Sequence, residues 1–431
     1  MFMGGEEAGK RILLLMSPAT YRAGAFLRAA QSLGLEVVVG LDLPERLTEY
    51  WHVPLGLDFG QVGSAVEAIV AYARERPFVA VLSVDDSATE VAAYANAALG
   101  LASNSPQASE AARDKLLMRR LLSTGGVPCP VFRNVGLQAE PGWIASQVSY
   151  PCVLKPRRLS GSRGVIRANN AEEFQVAFGR VKRLLLGEGV AEAEGTLLVE
   201  DFIPGVEVAL EGLLTDGQLK VLTLFDKPDP LDGPFFEETI YVTPSRLPEE
   251  TQQAIAECVV VAAGALGLCT GPVHAELRVN EGGPMLVEIA GRSIGGLCST
   301  ILEFGSGLSL EELILRHALG ELVEEVEREG QAAGVMMIPI PVGGMYKGVY
   351  GVEEALGVPL ITGIEITARV YNQVVPLPEG GSYLGFIFAR GDDVVEVESA
   401  LRVAHHCLRF EICRALPMVE RRGLREAGAG W

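Results

Sequence analysis

Two glutamates of this 431-residue chain, Glu276 and Glu288, stand on either side of a turn at a spacing that can set their carboxylates against each other. Val273 to Val279 alternates, which puts His274, Glu276 and Arg278 on one face of a strand. The turn Asn280-Glu281-Gly282-Gly283-Pro284 leads into a second strand, Met285 to Ala290. With the turn centred on Gly282, Val279 pairs with Met285 and Glu276 lies opposite Glu288. Opposed Cβ atoms are roughly 5 Å apart, and like charges there are destabilising unless a proton or a cation intervenes. Magnesium accepts few carboxylates and keeps positions for phosphate oxygens, so the pair is a candidate metal centre of an ATP site. A solvated strand face is the alternative use of the same residues.

Two upstream segments carry complementary chemistry. Tyr150 to Pro156 reads as a buried strand ending at Lys155, followed by the loop Ser160-Gly161-Ser162-Arg163-Gly164 and another strand from Val165. The amides of such a loop can wrap a triphosphate while the loop moves as a lid, with Lys155 adding charge. Leu197 to Glu207 reads as strand, polar hinge and strand. Glu200, the backbone of Asp201, Phe202 and Ile203, and Glu207 can meet the amino group of an adenine and the hydroxyls of a ribose. Taken singly, the first segment is an ordinary hairpin turn and the second a loop carrying acids.

These residues need a scaffold. Apolar runs at Arg11–Met16, Leu35–Val39 and Val79–Val84 alternate with helical patterns, which predicts a doubly wound parallel α/β domain over residues 1–107. Residues 108–124 read as one helix carrying Arg113-Asp114-Lys115. From Tyr150 strands and hairpins take over, with helices near 171–186, 248–267 and 309–319, so 108–320 is predicted as an α+β unit of two lobes. After the Glu-rich segment 321–329, strands at 335–340, 364–370 and 384–389 and a helix near 394–408 predict a small α+β domain over 331–425.

Composition narrows the classes. With 48% apolar and 21% charged residues the chain is globular, and a net charge of −19 offers no basic excess for a nucleic-acid backbone. The most apolar stretch, Cys258–Cys269, is too short to cross a membrane and holds two glycines. Seven scattered cysteines without a C-x-x-C pair predict free thiols, and no secretory signal precedes the first strand, so a cytoplasmic protein is expected.

Three patterns mislead. Gly4 to Lys10 matches a phosphate-loop motif, but Arg11 follows where Ser or Thr is needed and the motif precedes a strand. Gly291-Arg292-Ser293-Ile294-Gly295 matches a nucleophile elbow, yet the preceding strand reads as antiparallel. His405 and His406 are adjacent on a helix and point apart.

In order and spacing, Arg113-Asp114-Lys115, Val153-Leu154-Lys155-Pro156, the loop 160–164, Val199 through Glu207, Glu276, and Glu288 through Arg292 resemble the ATP-grasp superfamily. Within it the chain looks most like the L-amino acid ligase group, whose C-terminal domain resembles the segment with Gly343-Gly344 and Ser382 to Ile387. The resemblance implies Lys115 and Lys155 on ATP phosphates beneath a lid containing Ser160, Gly161, Ser162 and Gly164. It implies Glu200, Asp201, Phe202 and Ile203 at adenine, Glu207 at ribose, and Glu276 and Glu288 on magnesium or manganese. Arg292 is then the catalytic cation that neutralises an acyl phosphate, with Lys155 assisting. Ala290 stands where many members have Asn, so either Glu288 holds both ions or water and phosphate hold one.

The expected function is ATP-dependent joining of a small carboxylate to an amine through an acyl phosphate, a dipeptide being one such product, in a group whose members commonly dimerise. Glu238, in the segment from Asp226 to Glu238, is the candidate partner of the amine's ammonium, with a plain surface loop as the equal alternative for that segment. The alternatives are a carboxylase or ribonucleotide-pathway ligase on the same scaffold, and an ATP-binding regulatory protein without catalysis.

Overall fold

The computed structural model describes residues 10–414 apart from 44, 48–52, 306, 322 and 324. The motif at Gly4–Lys10 therefore lies almost wholly outside the described residues, as does the end of the segment predicted to run to 425.

The first apolar run becomes β1 (Arg11–Met16), the buried centre of a parallel sheet with β2 (Glu36–Asp42), β3 (Leu55–Leu57) and β4 (Ala80–Ser83), in the order β3-β2-β1-β4. The α/β reading of this region is correct. Strand β3 was not foreseen, because three residues are too few for a period-2 signal. A second, antiparallel sheet holds β5 (Phe132–Gly136), β6 (Cys152–Pro156), β7 (Ile166–Ala168) and β8 (Thr196–Asp201), in the order β5-β8-β6-β7. Helix Ala171–Gly187 packs its Phe174, Phe178 and Val181 on this sheet.

The helix expected over 108–124 is two helices, Pro106–Arg113 and Lys115–Thr124. Asp114 divides them with φ −95° and ψ 103°, its carboxylate accepting from the amides of Leu116 and Leu117. An aspartate satisfies orphan amides at an N-cap better than it propagates a helix. The break places Lys115 on the first turn of the second helix, beside the strand bundle that follows.

The largest sheet starts with β9 (Val206–Thr215), β10 (Gln218–Lys227), β11 (Ile240–Thr243), β12 (Gly271–Asn280) and β13 (Gly283–Ala290). The C-terminal strands are β14 (Ala332–Ile338), β15 (Gly344–Tyr350), β16 (Ile361–Ile366), β17 (Gln373–Val374), β18 (Gly385–Gly391) and β19 (Arg409–Cys413). Strands β14, β18 and β16 continue the large sheet, giving the order β13-β12-β9-β10-β11-β14-β18-β16, while β17-β15-β19 form a small sheet of their own. The segment after residue 331 therefore shares a sheet with the unit before it.

The hairpin reaches the foreseen opposition by another route. Val279 pairs with Pro284 rather than Met285, and Asn280 with Gly283. A bulge at Val287 then shifts the register by one, so that Glu276 does face Glu288. Among the described residues no helix is long and apolar enough to cross a membrane.

Candidate active site

Four strands of the large sheet, β10, β9, β12 and β13, form the floor of a cavity of about 530 Å³. Their register arranges side chains of one face in rows. Lys227, Glu207 and Arg278 make one row, and Ala209, Glu276 and Glu288 the next. Glu211, His274 and Ala290 make the third. Positive and negative groups alternate along the first row, the arrangement that makes cross-strand pairs favourable, whereas the second sets two carboxylates against each other.

Lys227 is the hub of the first two rows. Its ammonium lies 2.9 Å from Glu207, 2.5 Å from Glu238 and 3.2 Å from Glu276. Burial by itself favours the neutral amine, but the three carboxylates raise its pKa well above the ordinary lysine value. Glu238 is pushed up to about 7 by burial and by the neighbouring Glu276. Glu276 goes the other way: against its burial, Lys227 and His274 hold it well below the usual carboxylate range. His274 donates or accepts at 3.0 Å with Glu211, whose carboxylate also accepts from the Ile294 amide. Despite burial, Glu211 raises the imidazole pKa to about 8.

Glu288 is balanced separately. Lys115 donates to it at 3.2 Å and to the Leu159 carbonyl at 2.9 Å. Both glutamates keep part of their side chains open, 20% for Glu276 and 28% for Glu288. Two hard, partly open carboxylates in direct register, each with a displaceable ammonium, fit a magnesium or manganese ion. Glu207, Glu238 and Glu276 also bring oxygens within 4.8 Å of one another, although Lys227 sits among them.

At the opposite wall, Glu200 is 4% exposed and its carboxylate is divided between Arg119 at 2.7 Å and Lys155 at 2.5 Å. These cations outweigh burial and keep Glu200 ionised, while burial and repulsion from Arg119 lower the Lys155 pKa. The Glu200 carboxylate is already paired, so the hinge offers an adenine ring chiefly its main chain and apolar surface. Parts of that main chain are fixed as well: the Phe202 amide donates to Pro151 and the Ile203 carbonyl accepts from Arg278. Phe202 lies between the guanidiniums of Arg167 and Arg278, 4.1 and 4.9 Å from its ring centroid.

The N-terminal domain completes the cavity. Asp86 receives two hydrogen bonds from Arg292, both 2.9 Å. Burial would raise the Asp86 pKa, but Arg292 beside it prevails and lowers it. Two N–H bonds pair with Asp86 and one with the Ser293 carbonyl, which leaves the guanidinium two more for a ligand. Ser293, the serine of the elbow-like motif, is buried and held by Arg22 at 2.7 Å.

Lys115, Lys155, Ser160, Gly161, Ser162, Glu200, Asp201, Phe202, Ile203, Glu207, Glu276, Glu288 and Arg292 all line this cavity. Gly164 does not: its amide donates to the Pro378 carbonyl at 2.7 Å and a Cβ there would strike Pro156. Sequence reasoning missed Arg119, Lys227, Arg278 and Asp86 as site residues. The i, i+2 spacing of Arg278 with Glu276 placed it on the right face, but only strand pairing shows what Lys227 and Arg119 reach.

Cys298 also lines the cavity, with burial pushing its thiol far above the ordinary range. Burial likewise pushes Cys152 up to about 12. All seven cysteines are unpaired. In the native protein iodoacetamide should label the exposed Cys269 and Cys413 and spare Cys152 and Cys298, which peptide mass mapping checks.

Residues 148–301 match the model of the ATP-grasp domain, and 336–412 that of the L-amino acid ligase C-terminal domain 2. The alanine–anticapsin ligase of Bacillus subtilis (strain 168) is 30% identical over 233 residues, 50% of this chain and 49% of that protein. Dapdiamide A synthase of Enterobacter agglomerans is 27% identical over 62% of this chain and 64% of its own. The chain spans about half the length of most of the first curated relatives it matches. The crystal structure of an L-amino acid ligase from Bacillus licheniformis superposes with a TM-score of 0.77 at 26% identity, covering 95% of this chain and 100% of that one. An ATP-grasp domain joined to the C-terminal domain of the L-amino acid ligases, on a fold shared along nearly the whole chain, makes this protein a member of the ATP-grasp superfamily.

Proposed function

We propose that the protein is an ATP-dependent carboxylate–amine ligase that joins small amino acid-like substrates. The observation that carries this reading is the convergence of Lys115, Lys155, the opposed Glu276 and Glu288, and Arg292 in one cavity. Phosphoryl transfer depends on positioning and on neutralising charge, and this set supplies both.

The hinge 201–203 and the Phe202 ring take the adenine end. Lys155 and Lys115 hold phosphates beneath the loop 160–162, and Lys227 balances the charge of Glu207, Glu238 and Glu276. Glu276 and Glu288 would hold magnesium, which when bound would supply charge neutralisation for phosphoryl transfer. The substrate carboxylate oxygen attacks the γ-phosphorus, the bond to the ADP oxygen breaks, and an acyl phosphate and ADP result. The amine then attacks the acyl carbon and phosphate leaves, with the free N–H groups of Arg292 facing the charge that develops. Glu238, near neutral pH poised between protonated and ionised, is placed to pair with the incoming ammonium or to take its proton.

Incubation with ATP, magnesium and a panel of amino acids should release ADP and phosphate and give a dipeptide by mass spectrometry. Hydroxylamine added with the carboxylate alone should trap a hydroxamate. ATP binding without turnover on any carboxylate would refute the ligase reading and favour a regulatory one.

Asp86 acts through Arg292. Asp86→Asn removes the charge that fixes the guanidinium, and a small displacement of a catalytic group costs about 10²-fold in kcat. The KM for ATP should stay near that of the unaltered protein, and steady-state kinetics with both parameters resolved decide it. An unchanged kcat would show that Arg292 needs no partner from the N-terminal domain.

A further inference from the structure

The loop that covers the phosphate region is gripped from outside by the C-terminal unit. Gly164 donates its amide to the Pro378 carbonyl at 2.7 Å, and Arg163 Nε donates to the Glu379 carbonyl at 3.2 Å. The Glu379 carboxylate accepts a fork of bonds, 2.9 and 2.8 Å, from Arg180 on the helix that packs behind the loop. Gly381 lies so close to Arg163 that a Cβ would come within 2.6 Å of its side chain.

Two features show that this grip has a purpose beyond packing. Arg163 is the loop's one cation, yet it lines no part of the cavity; its guanidinium is bound to Glu188 at 2.6 Å. The loop also contains three left-handed residues, Gly161, Ser162 and Gly164, and Ser162 at φ 55° bears the steric cost of that conformation. A strained loop stays in place when its surroundings hold it, and here the surroundings are residues 378–381. The same turn continues to Gly381 and Tyr383, which do line the cavity.

We infer that residues 378–381 of the C-terminal unit are the latch that keeps the loop 160–164 closed over ATP, with Glu379 as its positioning residue acting through Arg180. The inference rests on the proposed function only in taking this loop as the cover of the phosphates. The Arg180–Glu379 pair is partly exposed, with side chains 31% and 43% accessible, so its strength is that of a good surface pair.

The test compares Glu379→Arg, Arg180→Glu and the double exchange in the full chain. Each single variant should raise the KM for ATP by up to about five-fold with kcat nearly unchanged. Each should also speed tryptic cleavage after Arg163 in the presence of a non-hydrolysable ATP analogue. The double exchange restores the pair with its charges reversed and should recover both readouts. Single variants that leave KM and cleavage unaltered overturn the latch, as does a double exchange no better than the singles. Cleavage with the analogue needs no amide product, so the latch can fail while ligase activity stands, and can hold if that activity is absent.

Discussion

Glu288→Ala should lower ATP turnover by about 10²–10³-fold while leaving the protein folded. Glu288 is the more open of the opposed pair, with 28% of its side chain accessible, and it is ion-paired with Lys115. Removing it deletes the oxygen ligand proposed for the ion and takes from the Lys115 ammonium its carboxylate partner. Manganese binding in the presence of ADP, followed by electron paramagnetic resonance, should weaken in parallel with kcat. Glu288→Gln separates charge from shape: it keeps the volume and should lose most of the activity too. Full turnover with unchanged manganese affinity in the alanine variant would sink the metal assignment.

Arg119→Leu should destabilise the fold by about 3–5 kcal/mol, because it strands a buried charge. Arg119 is 1% exposed and Glu200 4%. Without the guanidinium, Glu200 keeps only Lys155, whose own ammonium is already disfavoured by burial. The Val287 carbonyl also loses its 2.6 Å donor. Val287 is the bulged residue that sets Glu288 opposite Glu276, so the same change should loosen the metal pair. Urea denaturation measures the first effect, and manganese affinity in the folded variant the second. Arg119→Lys keeps the charge but not the fork and should fall between. A stability loss under about 1 kcal/mol in the leucine variant would mean that Glu200 takes up a proton or reaches water instead.

Several of these features were legible in the sequence. The alternation through His274, Glu276 and Arg278 fixed one face of a strand, and the glycine turn fixed a hairpin. The opposition of Glu276 and Glu288 followed, although the turn-centred register that suggested it is wrong near the turn. The bulge at Val287 was invisible because no local period marks it; its carbonyl accepts from Arg119, 168 residues away in sequence. The helix break at Asp114 was readable in principle, since aspartate is a strong N-cap residue, but an apolar period running through it argued for one helix.

The residue types, their order and their local periods were enough to determine the α/β front, the hairpin, the glycine-bearing loop between strands and membership of the superfamily. Those are local or additive properties, and no distant contact is required to express them. Only the tertiary structure decided which charges meet. Lys227, Glu207 and Arg278 become neighbours through the pairing of three strands, Arg292 is oriented by Asp86 from another domain, and Glu200 is claimed by Arg119 and Lys155. Strand register and domain packing set these partners, and both are fixed by burial of surfaces far apart in the chain.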